Sequence, residues 1–142
     1  MPEPYFLTLA EVVAIHSDQI ARYGGPAGIR DMALLEYAIA QPSAGFGGHY
    51  FHRNLHEMAA ACAFHLCQNH PFFDGNKRVA IASALVFLCM NDIKISDPRS
   101  TLIEVMFNVA QSKLSKPELA ATLKGLSRTM KFERFERKES KV

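Results

Sequence analysis

The sequence lacks the features that would assign it to a membrane or secreted class. Its longest apolar run, Val79 to Met90, is interrupted by Ser83, whereas a membrane-spanning helix needs roughly 20 apolar residues. The first segment, MPEPYFLTLAEVV, contains acidic residues and no basic cluster before an apolar stretch, so it does not have the pattern of a secretory signal. We therefore expect a cytoplasmic protein that does not contact a membrane.

Cysteine is also scarce, and its spacing argues against two kinds of site. The three cysteines are Cys62, Cys67 and Cys89, and all lie in apolar, helical contexts. An odd number does not suggest a disulfide framework, and the four residues between Cys62 and Cys67 are not a zinc-knuckle spacing. We predict reduced thiols packed in the core, as is usual for cytosolic proteins.

Neither sign of charge is in large excess. The formal net charge is +2, from 16 Lys and Arg against 14 Asp and Glu. Residues 131–142 hold five of the cations and three of the acids, which leaves eleven of each in residues 1–130. A balanced body lacks the basic surface typical of nucleic-acid binding, so no direct contact with nucleic acid is expected. We predict one domain over residues 1–130 and a solvated, charged tail over residues 131–142.

What the sequence does contain is helical periodicity. Two capping boxes begin at Thr8 and Ser115, each with a glutamate three residues later. The segment from Gly75 to Asp92 is apolar nearly all round, which is typical of a helix buried at the centre of a bundle. Strand signals are confined to Phe46–Phe51 and Ile93–Asp97. The pattern predicts an all-α bundle of about six helices.

One segment between helices is rich in glycine and aromatic residues. Ser43–Arg53 contains three of each, so we predict a loop or a short β-hairpin there. The helix that follows is predicted to start after Asn54 and to end before Pro71. The last helix, which Ser115 opens, is predicted to continue to Arg128.

The stretch NHPFFDGNKRVA, residues 69–80, is the strongest candidate for a functional site. It joins two predicted helices, and the second begins near Asn76. A helix N-terminus presents unpaired N–H groups and a positive dipole end, which attract anions, and Gly75 lets a ligand approach closely. Lys77 and Arg78 in the first turn oppose the dipole unless an anion is bound. We therefore predict a polyphosphate site.

Other residues of this stretch fit such a site. Asp74 would be repelled by phosphates unless it holds a Mg²⁺ that bridges them, and His70 can accept a proton from an attacking hydroxyl. At least one of Phe72 and Phe73 is expected to anchor the loop in the core. A polar turn with Asn76 as a helix cap is the alternative, but it does not explain two cations at the start of a buried helix.

The nine residues HPFFDGNKR, from His70 to Arg78, resemble the Fic/Doc signature H-x-F-x-[D/E]-[A/G]-N-[G/K]-R at every defined position. The likeness extends over Phe6 to Ile95, where segments such as ARYGGPAGIRDMALLEYAI resemble the death-on-curing (Doc) branch of the family. This resemblance implies a Fic-type helical bundle with a short flap before the catalytic helix–loop–helix.

The resemblance also implies an activity and the residues that perform it. A group would pass from a nucleoside triphosphate, with Mg²⁺, to a hydroxyl of a target protein, and His70 would be the general base. Asp74 would bind the metal. The phosphates would be held at the start of the following helix, by Gly75, Asn76, Lys77 and Arg78. Ser43–Arg53 would be the flap that aligns the target chain by strand-like pairing, with a flexible linker as the alternative.

Two departures from the commoner Fic pattern, H-P-F-x-x-G-N-G-R-x-x-R, bear on which group is transferred. Lys77 replaces the second glycine, and Ile81 replaces the second arginine, which in AMP-transferring members helps to hold the γ-phosphate. Both departures resemble the Doc branch, whose members phosphorylate elongation factor Tu and stop translation. We therefore favour a toxin that transfers the γ-phosphate of ATP to a translation factor. AMP transfer is the first alternative, and a non-catalytic nucleotide- or protein-binding module is the second.

Other motifs are absent or incomplete. The inhibitory motif of self-regulated Fic proteins, [ST]-x-x-x-E-[GN], is missing, because no glutamate is followed by Gly or Asn. The resemblance to Doc then implies a separate, cognate antitoxin partner whose disordered tail folds into a groove. HEMAA, at His56, lacks the second histidine of a zinc protease. A metal cluster of His49, His52 and His56 is an alternative to surface histidines, and His16 and His65 are interpreted as packed or surface side chains.

Overall fold

Six helices form the body of the fold in residues 3–129, the part of the chain that the computed structural model describes. The helices are α1 (Leu9–Tyr23), α2 (Met32–Ala40), α3 (Leu55–Asn69), α4 (Asn76–Met90), α5 (Thr101–Ala110) and α6 (Lys116–Leu126). Two antiparallel strand pairs complete the fold: β1 (Gly45–Phe46) with β2 (His49–Tyr50), and β3 (Ile93–Ile95) with β4 (Ser127–Thr129). The predicted all-α bundle of about six helices is confirmed. The predicted tail and its boundary at residue 130 lie outside the described residues.

The helix starts follow the capping signals of the sequence. Thr8 accepts the N–H of Glu11, whose carboxylate accepts the N–H of Thr8 in return, at 3.2 and 2.9 Å. Ser115 and Glu118 repeat this capping box at the start of α6, at 3.3 and 3.0 Å. A cap of this kind stabilises a helix by about 1 kcal/mol. These local bonds therefore set where the elements begin before any tertiary packing is considered.

Helices α3 and α4 are the centre of the bundle. They pack against each other, α3 also contacts α2, α5 and α6, and α4 also contacts α1, α5 and β3. The large side chains between them are fully buried, among them Met58, Leu66, Val79, Phe87 and Leu88. Burial of each such side chain contributes roughly 1.5–3 kcal/mol. The polar loop that joins α3 to α4 is thus mounted on the two most firmly packed helices.

The glycine-rich segment before α3 forms a hairpin rather than an irregular loop. Gly45 pairs with Tyr50 and Phe46 with His49, and Gly47 and Gly48 take positive φ angles of 60° and 81° at the turn. Two residues with positive φ are what a tight hairpin turn requires. Phe46 is 84% exposed, so the tip of this hairpin presents an aromatic residue to solvent.

The end of α6 differs from the prediction. The helix stops at Leu126, and Ser127 to Thr129 form β4, which pairs with β3 in the register Ile95 to Ser127. The backbone of Ser127 is extended, with φ −81° and ψ 148°. Pairing with a strand distant in sequence, rather than local propensity, decides the conformation of these last three residues.

The cysteine prediction is correct for two positions and wrong for the third. Cys62 and Cys67 are buried, and burial raises the pKa of Cys62 to about 12 and that of Cys67 to about 11. Cys89 is exposed, because it lies with Val86 on the face of α4 that turns to solvent near the helix end. Because α4 is apolar on nearly all sides, its sequence does not indicate which face is exposed.

None of the helices in residues 3–129 combines the length and the hydropathy that a membrane span requires.

Candidate active site

The loop between α3 and α4 is a tight connection bounded by two left-handed residues. His70 ends α3 with φ 48° and ψ 56°, and Gly75 precedes α4 with φ 78° and ψ 17°. Glycine adopts this conformation without strain, whereas a residue with a side chain does so only where the surroundings hold it. The His70 side chain is exposed. The predicted base therefore lies at the surface beside the start of α4.

The start of α4 is open to an anion. No side chain among the described residues caps it, and the Val79 N–H to Gly75 C=O bond, at 2.8 Å, opens the helical hydrogen-bond pattern. The N–H groups of Asn76, Lys77 and Arg78 precede that bond and lie at the positive end of the helix dipole. Lys77 is exposed and Arg78 is half-buried. This end of the helix combines backbone donors with two cations, which is the chemistry that phosphate binding uses.

The side chain of Asn76 forms hydrogen bonds within the loop. Its Oδ1 accepts the N–H of Phe72 at 3.0 Å, and its Nδ2 donates to the C=O of Phe72, also at 3.0 Å. Phe72 is buried and Phe73 is 60% exposed, which confirms that one of the two phenylalanines anchors the loop. Because the amide of Asn76 is used in this way, its backbone N–H is the group left for a phosphate.

Asp74 and Arg78 lie close together and face the end of α1. The Asp74 carboxylate is 3.6 Å from the Arg78 guanidinium, and the two side chains are 49% and 29% exposed. Arg78 also donates to the C=O groups of Gln19 and Gly24, each at 3.2 Å. The predicted metal ligand and one predicted phosphate ligand are therefore adjacent, and the position of Arg78 is fixed by carbonyls of α1 and its C-cap.

His16 is a contact to the loop that the sequence did not reveal. It is 3% exposed, and its Nε2 lies 2.7 Å from the C=O of Asp74, which can only accept, so Nε2 carries the proton and donates. Its ring stacks on Phe72, with centroids 3.7 Å apart. A histidine one helical turn after the buried Val12 was a signal of burial, but not of which backbone group it meets.

The connection from α1 to α2 runs along the same loop. Phe73 N–H donates to the C=O of Gly28 at 3.2 Å, and Ile29 forms an isolated β-bridge with Phe72. A Cβ on Gly25, whose φ is 111°, would overlap the Asp74 carboxylate. This connection approaches Asp74 so closely that a side chain at residue 25 would displace the Asp74 carboxylate.

An apolar groove of about 810 Å³ opens beside the start of α4. Lys77 and Arg78 belong to its wall, and the remainder is largely apolar. Its main lining residues come from α1, α4 and α5: Tyr23, Ile81, Leu85, Ile103 and Phe107.

The histidines near the hairpin do not form a metal site in the described part of the chain. Among residues 3–129, no three His, Cys, Asp or Glu side chains converge as metal ligands would. The alternative of a cluster at His49, His52 and His56 therefore has no support from the geometry.

Comparison with known proteins agrees with this geometry. Residues 6–88 match the model of the Fic/DOC family. The chain is 32% identical to "Protein kinase doc" of Escherichia phage P1 over 116 residues, which cover 82% of this chain and 90% of that protein. It is 34% identical to "Toxin Doc" of Mycolicibacterium smegmatis over 107 residues, 74% of this chain and 82% of that one. The open helix start, the signature loop and this likeness along the chain agree: the protein belongs to the Fic/DOC family.

Proposed function

We propose that this protein is a Doc-like toxin that transfers the γ-phosphate of ATP to a hydroxyl of a target protein. The observation that carries the proposal is the start of α4, where uncapped N–H groups and the cations Lys77 and Arg78 adjoin His70 and Asp74. The names of the two relatives, a kinase and a toxin, support the same assignment.

In the proposed reaction the hydroxyl oxygen of the target attacks the γ-phosphorus. A new P–O bond forms, the bond from the γ-phosphorus to the bridging oxygen of the β-phosphate breaks, and ADP leaves. His70 accepts the hydroxyl proton, for which its exposed side chain at the loop is accessible. The backbone N–H groups at the start of α4 and the Lys77 ammonium face the charge that spreads over the phosphoryl oxygens. Placement and charge supply most of the catalysis in such transfers.

Asp74 is the residue that would hold Mg²⁺. Its carboxylate is half-exposed beside the uncapped start of α4. One carboxylate together with phosphate oxygens and water is a donor set that Mg²⁺ commonly takes. When bound, the ion supplies positive charge against the phosphates. Arg78 forms an ion pair with this carboxylate at 3.6 Å.

Ile81 supports transfer of the γ-phosphate rather than of AMP. Ile81 stands at the position where the pattern of AMP-transferring members has its second arginine. Here the isoleucine lines the apolar groove. An isoleucine at this turn of α4 offers no charge to a terminal phosphate. Lys77, one residue before Arg78, places a cation in the first turn of α4 instead. The nucleotide is then free to bind with its γ-phosphate towards His70.

Two protein partners belong to the proposal. The target is a translation factor such as elongation factor Tu, acted on in the cytoplasm, and the β1–β2 hairpin with its exposed Phe46 offers strand pairing to the target chain. The second partner is an antitoxin whose helix lays an apolar face in the groove between α1, α4 and α5. If the product of the neighbouring reading frame leaves the activity unchanged, that partner is wrong.

The test of the proposed function uses ATP labelled separately at the α- and γ-phosphates. The purified protein and its His70→Ala variant are incubated with Mg²⁺ and a ribosome-free bacterial lysate. We expect label from the γ position on a protein the size of elongation factor Tu, and none with the variant. Label from the α position would show AMP transfer and contradict the argument from Lys77 and Ile81. No label that depends on His70 would contradict both transfer reactions.

A further inference from the structure

We infer that Arg30, a residue outside the nine-residue signature, positions His70 by holding the end of α3. The inference rests on the proposed function, because it takes His70 as the base of that reaction. Arg30 lies in the connection between α1 and α2, forty residues before His70. Its role would be to orient the loop and not to touch the nucleotide.

Arg30 and its neighbour bind three successive carbonyls at the end of α3. The Nε of Arg30 donates to the C=O of His70 at 2.6 Å, and its terminal nitrogen donates to the C=O of Asn69 at 2.9 Å. The backbone N–H groups of Arg30 and Asp31 both donate to the C=O of Pro71, at 2.7 and 3.0 Å. Four hydrogen bonds thus join this short segment to the residues on either side of His70.

These bonds supply the hydrogen-bond donors and the positive charge that the C-terminal end of α3 lacks. A helix leaves its last carbonyls without helical partners, and its C-terminus is the negative end of the dipole. The last turn of α3 contains no basic residue. The guanidinium of Arg30 supplies both the donors and the positive charge from another part of the chain.

The conformation of His70 makes the support necessary. Its φ of 48° is uncommon for a residue with a side chain, and glycine is the usual residue at this position of a helix end. The C=O of His70, which Arg30 holds, fixes the direction of the backbone at that residue. Because the imidazole is exposed, its place relative to the start of α4 depends on this backbone. Arg30 therefore acts on catalysis through His70.

A lysine would not replace this arginine fully. The guanidinium donates from two nitrogens in a fixed fork, which matches the carbonyls of Asn69 and His70, whereas an ammonium is a point charge on a flexible stem. Arg30→Met removes the charge and both side-chain bonds. Arg30→Lys keeps the charge alone and should recover part of the function.

The experiment compares Arg30→Met and Arg30→Lys with the control Arg22→Met, which removes the same charge from an exposed pair with Asp18. We expect Arg30→Met to lower kcat about tenfold to a hundredfold, since a misplacement of about 1 Å costs that much, with the KM for ATP within about twofold. The kcat of Arg30→Lys should fall between those of Arg30→Met and the wild type, and the kcat of Arg22→Met should equal that of the wild type. The imidazole NMR signals of His70 should move or broaden only in the Arg30 variants.

The two readouts separate this inference from the proposed function. If the wild type shows no transfer that depends on His70, the proposed function fails, and the His70 signals alone decide whether Arg30 positions the loop. Unchanged signals in Arg30→Lys and Arg30→Met would overturn the inference. So would an equal loss of kcat and of ATP affinity, which indicates a general structural role. If Arg30→Met does not fold, the same criteria apply to Arg30→Lys.

Discussion

The start of α4 differs from the starts of the other five helices in residues 3–129. Each of those five has a side-chain oxygen that accepts N–H groups of the first turn: Thr8, Asp31, Asn54, Asp97 and Ser115. None of the described side chains does so for α4, whose first turn carries Lys77 and Arg78. Among these six helix starts, the start of α4 is the one whose backbone donors and cations favour a ligand that brings its own negative charge.

Two asparagines at helix starts, Asn76 and Asn54, should differ in how much their replacement destabilises the protein. Asn76 binds both backbone groups of Phe72, whereas Asn54 caps α3. Asn76→Ala leaves two buried groups unpaired, so we expect the free energy of unfolding to fall by about 2–4 kcal/mol. Asn54→Ala should cost about 1 kcal/mol. Urea unfolding of the two variants measures both values, and equal losses would contradict the role given to Asn76.

The next effect concerns ATP affinity at an open and a closed helix start. Lys77 lies in the first turn of α4 and Lys116 in the first turn of α6. A bond to a charged group contributes about 1.5–3 kcal/mol, so Lys77→Gln should weaken ATP binding by about tenfold to a hundredfold. Lys116→Gln should leave it within about twofold. Calorimetric titration with ATP and Mg²⁺ tests the pair, and similar losses in both would remove the distinction between the two helix starts.

A smaller difference, in kcat, is expected between alanine variants of two neighbouring glycines. Gly24 and Gly25 both have positive φ, at 84° and 111°, so alanine strains the backbone at either position. A Cβ on Gly25 would overlap Asp74, while a Cβ on Gly24 has nothing within 4 Å. We expect kcat of Gly25→Ala to be about tenfold below that of Gly24→Ala. Equal kcat values would show that the position of Asp74 does not depend on this contact.

The smallest effect tests how a closed helix start responds to pH. Burial tends to raise the pKa of Asp97, but hydrogen bonds from the N–H groups of Leu102 and Thr101 lower it overall, below its ordinary 3.8. A lowered folded-state pKa stabilises the protein above the unfolded value, and this stabilisation is lost as pH falls through the lower folded value. Asp97→Asn should be slightly less stable at pH 7 and lose less stability below pH 4. A parallel pH dependence in both proteins would count against this cap.

Much of the fold could be predicted from the sequence because local rules decide it. The capping boxes at Thr8 and Ser115 mark helix starts that depend on residues three apart. The hairpin at Gly45–Tyr50 follows from two adjacent glycines that permit a tight turn. The strand at Ser127–Thr129 escaped prediction because it exists only through its pairing with β3. Cys89 escaped because an apolar sequence does not show which face of α4 meets solvent.

In the candidate site, too, the features set by local sequence were predictable and those set by distant contacts were not. Its signature is contiguous, so His70, Asp74 and the start of α4 were identifiable from nine consecutive residues. The supporting contacts of His16 and Arg30 join residues 58 and 40 positions apart in the chain. Their partners are backbone carbonyls, which carry no side-chain identity and leave no trace in sequence spacing. The candidate residues of the signature were therefore visible in the sequence, and the long-range contacts that hold their loop were not.

Binding of phosphate at the open start of α4 is tested by an NMR titration with ATP and Mg²⁺ that follows the backbone amides of Asn76, Lys77 and Arg78. The amides of Thr101 and Leu102, which Asp97 already binds, provide the internal control. We expect large, saturable shifts at the start of α4 and none at the start of α5. Shifts of equal size at both helix starts, or none at α4, would contradict the claim that α4 is open for phosphate.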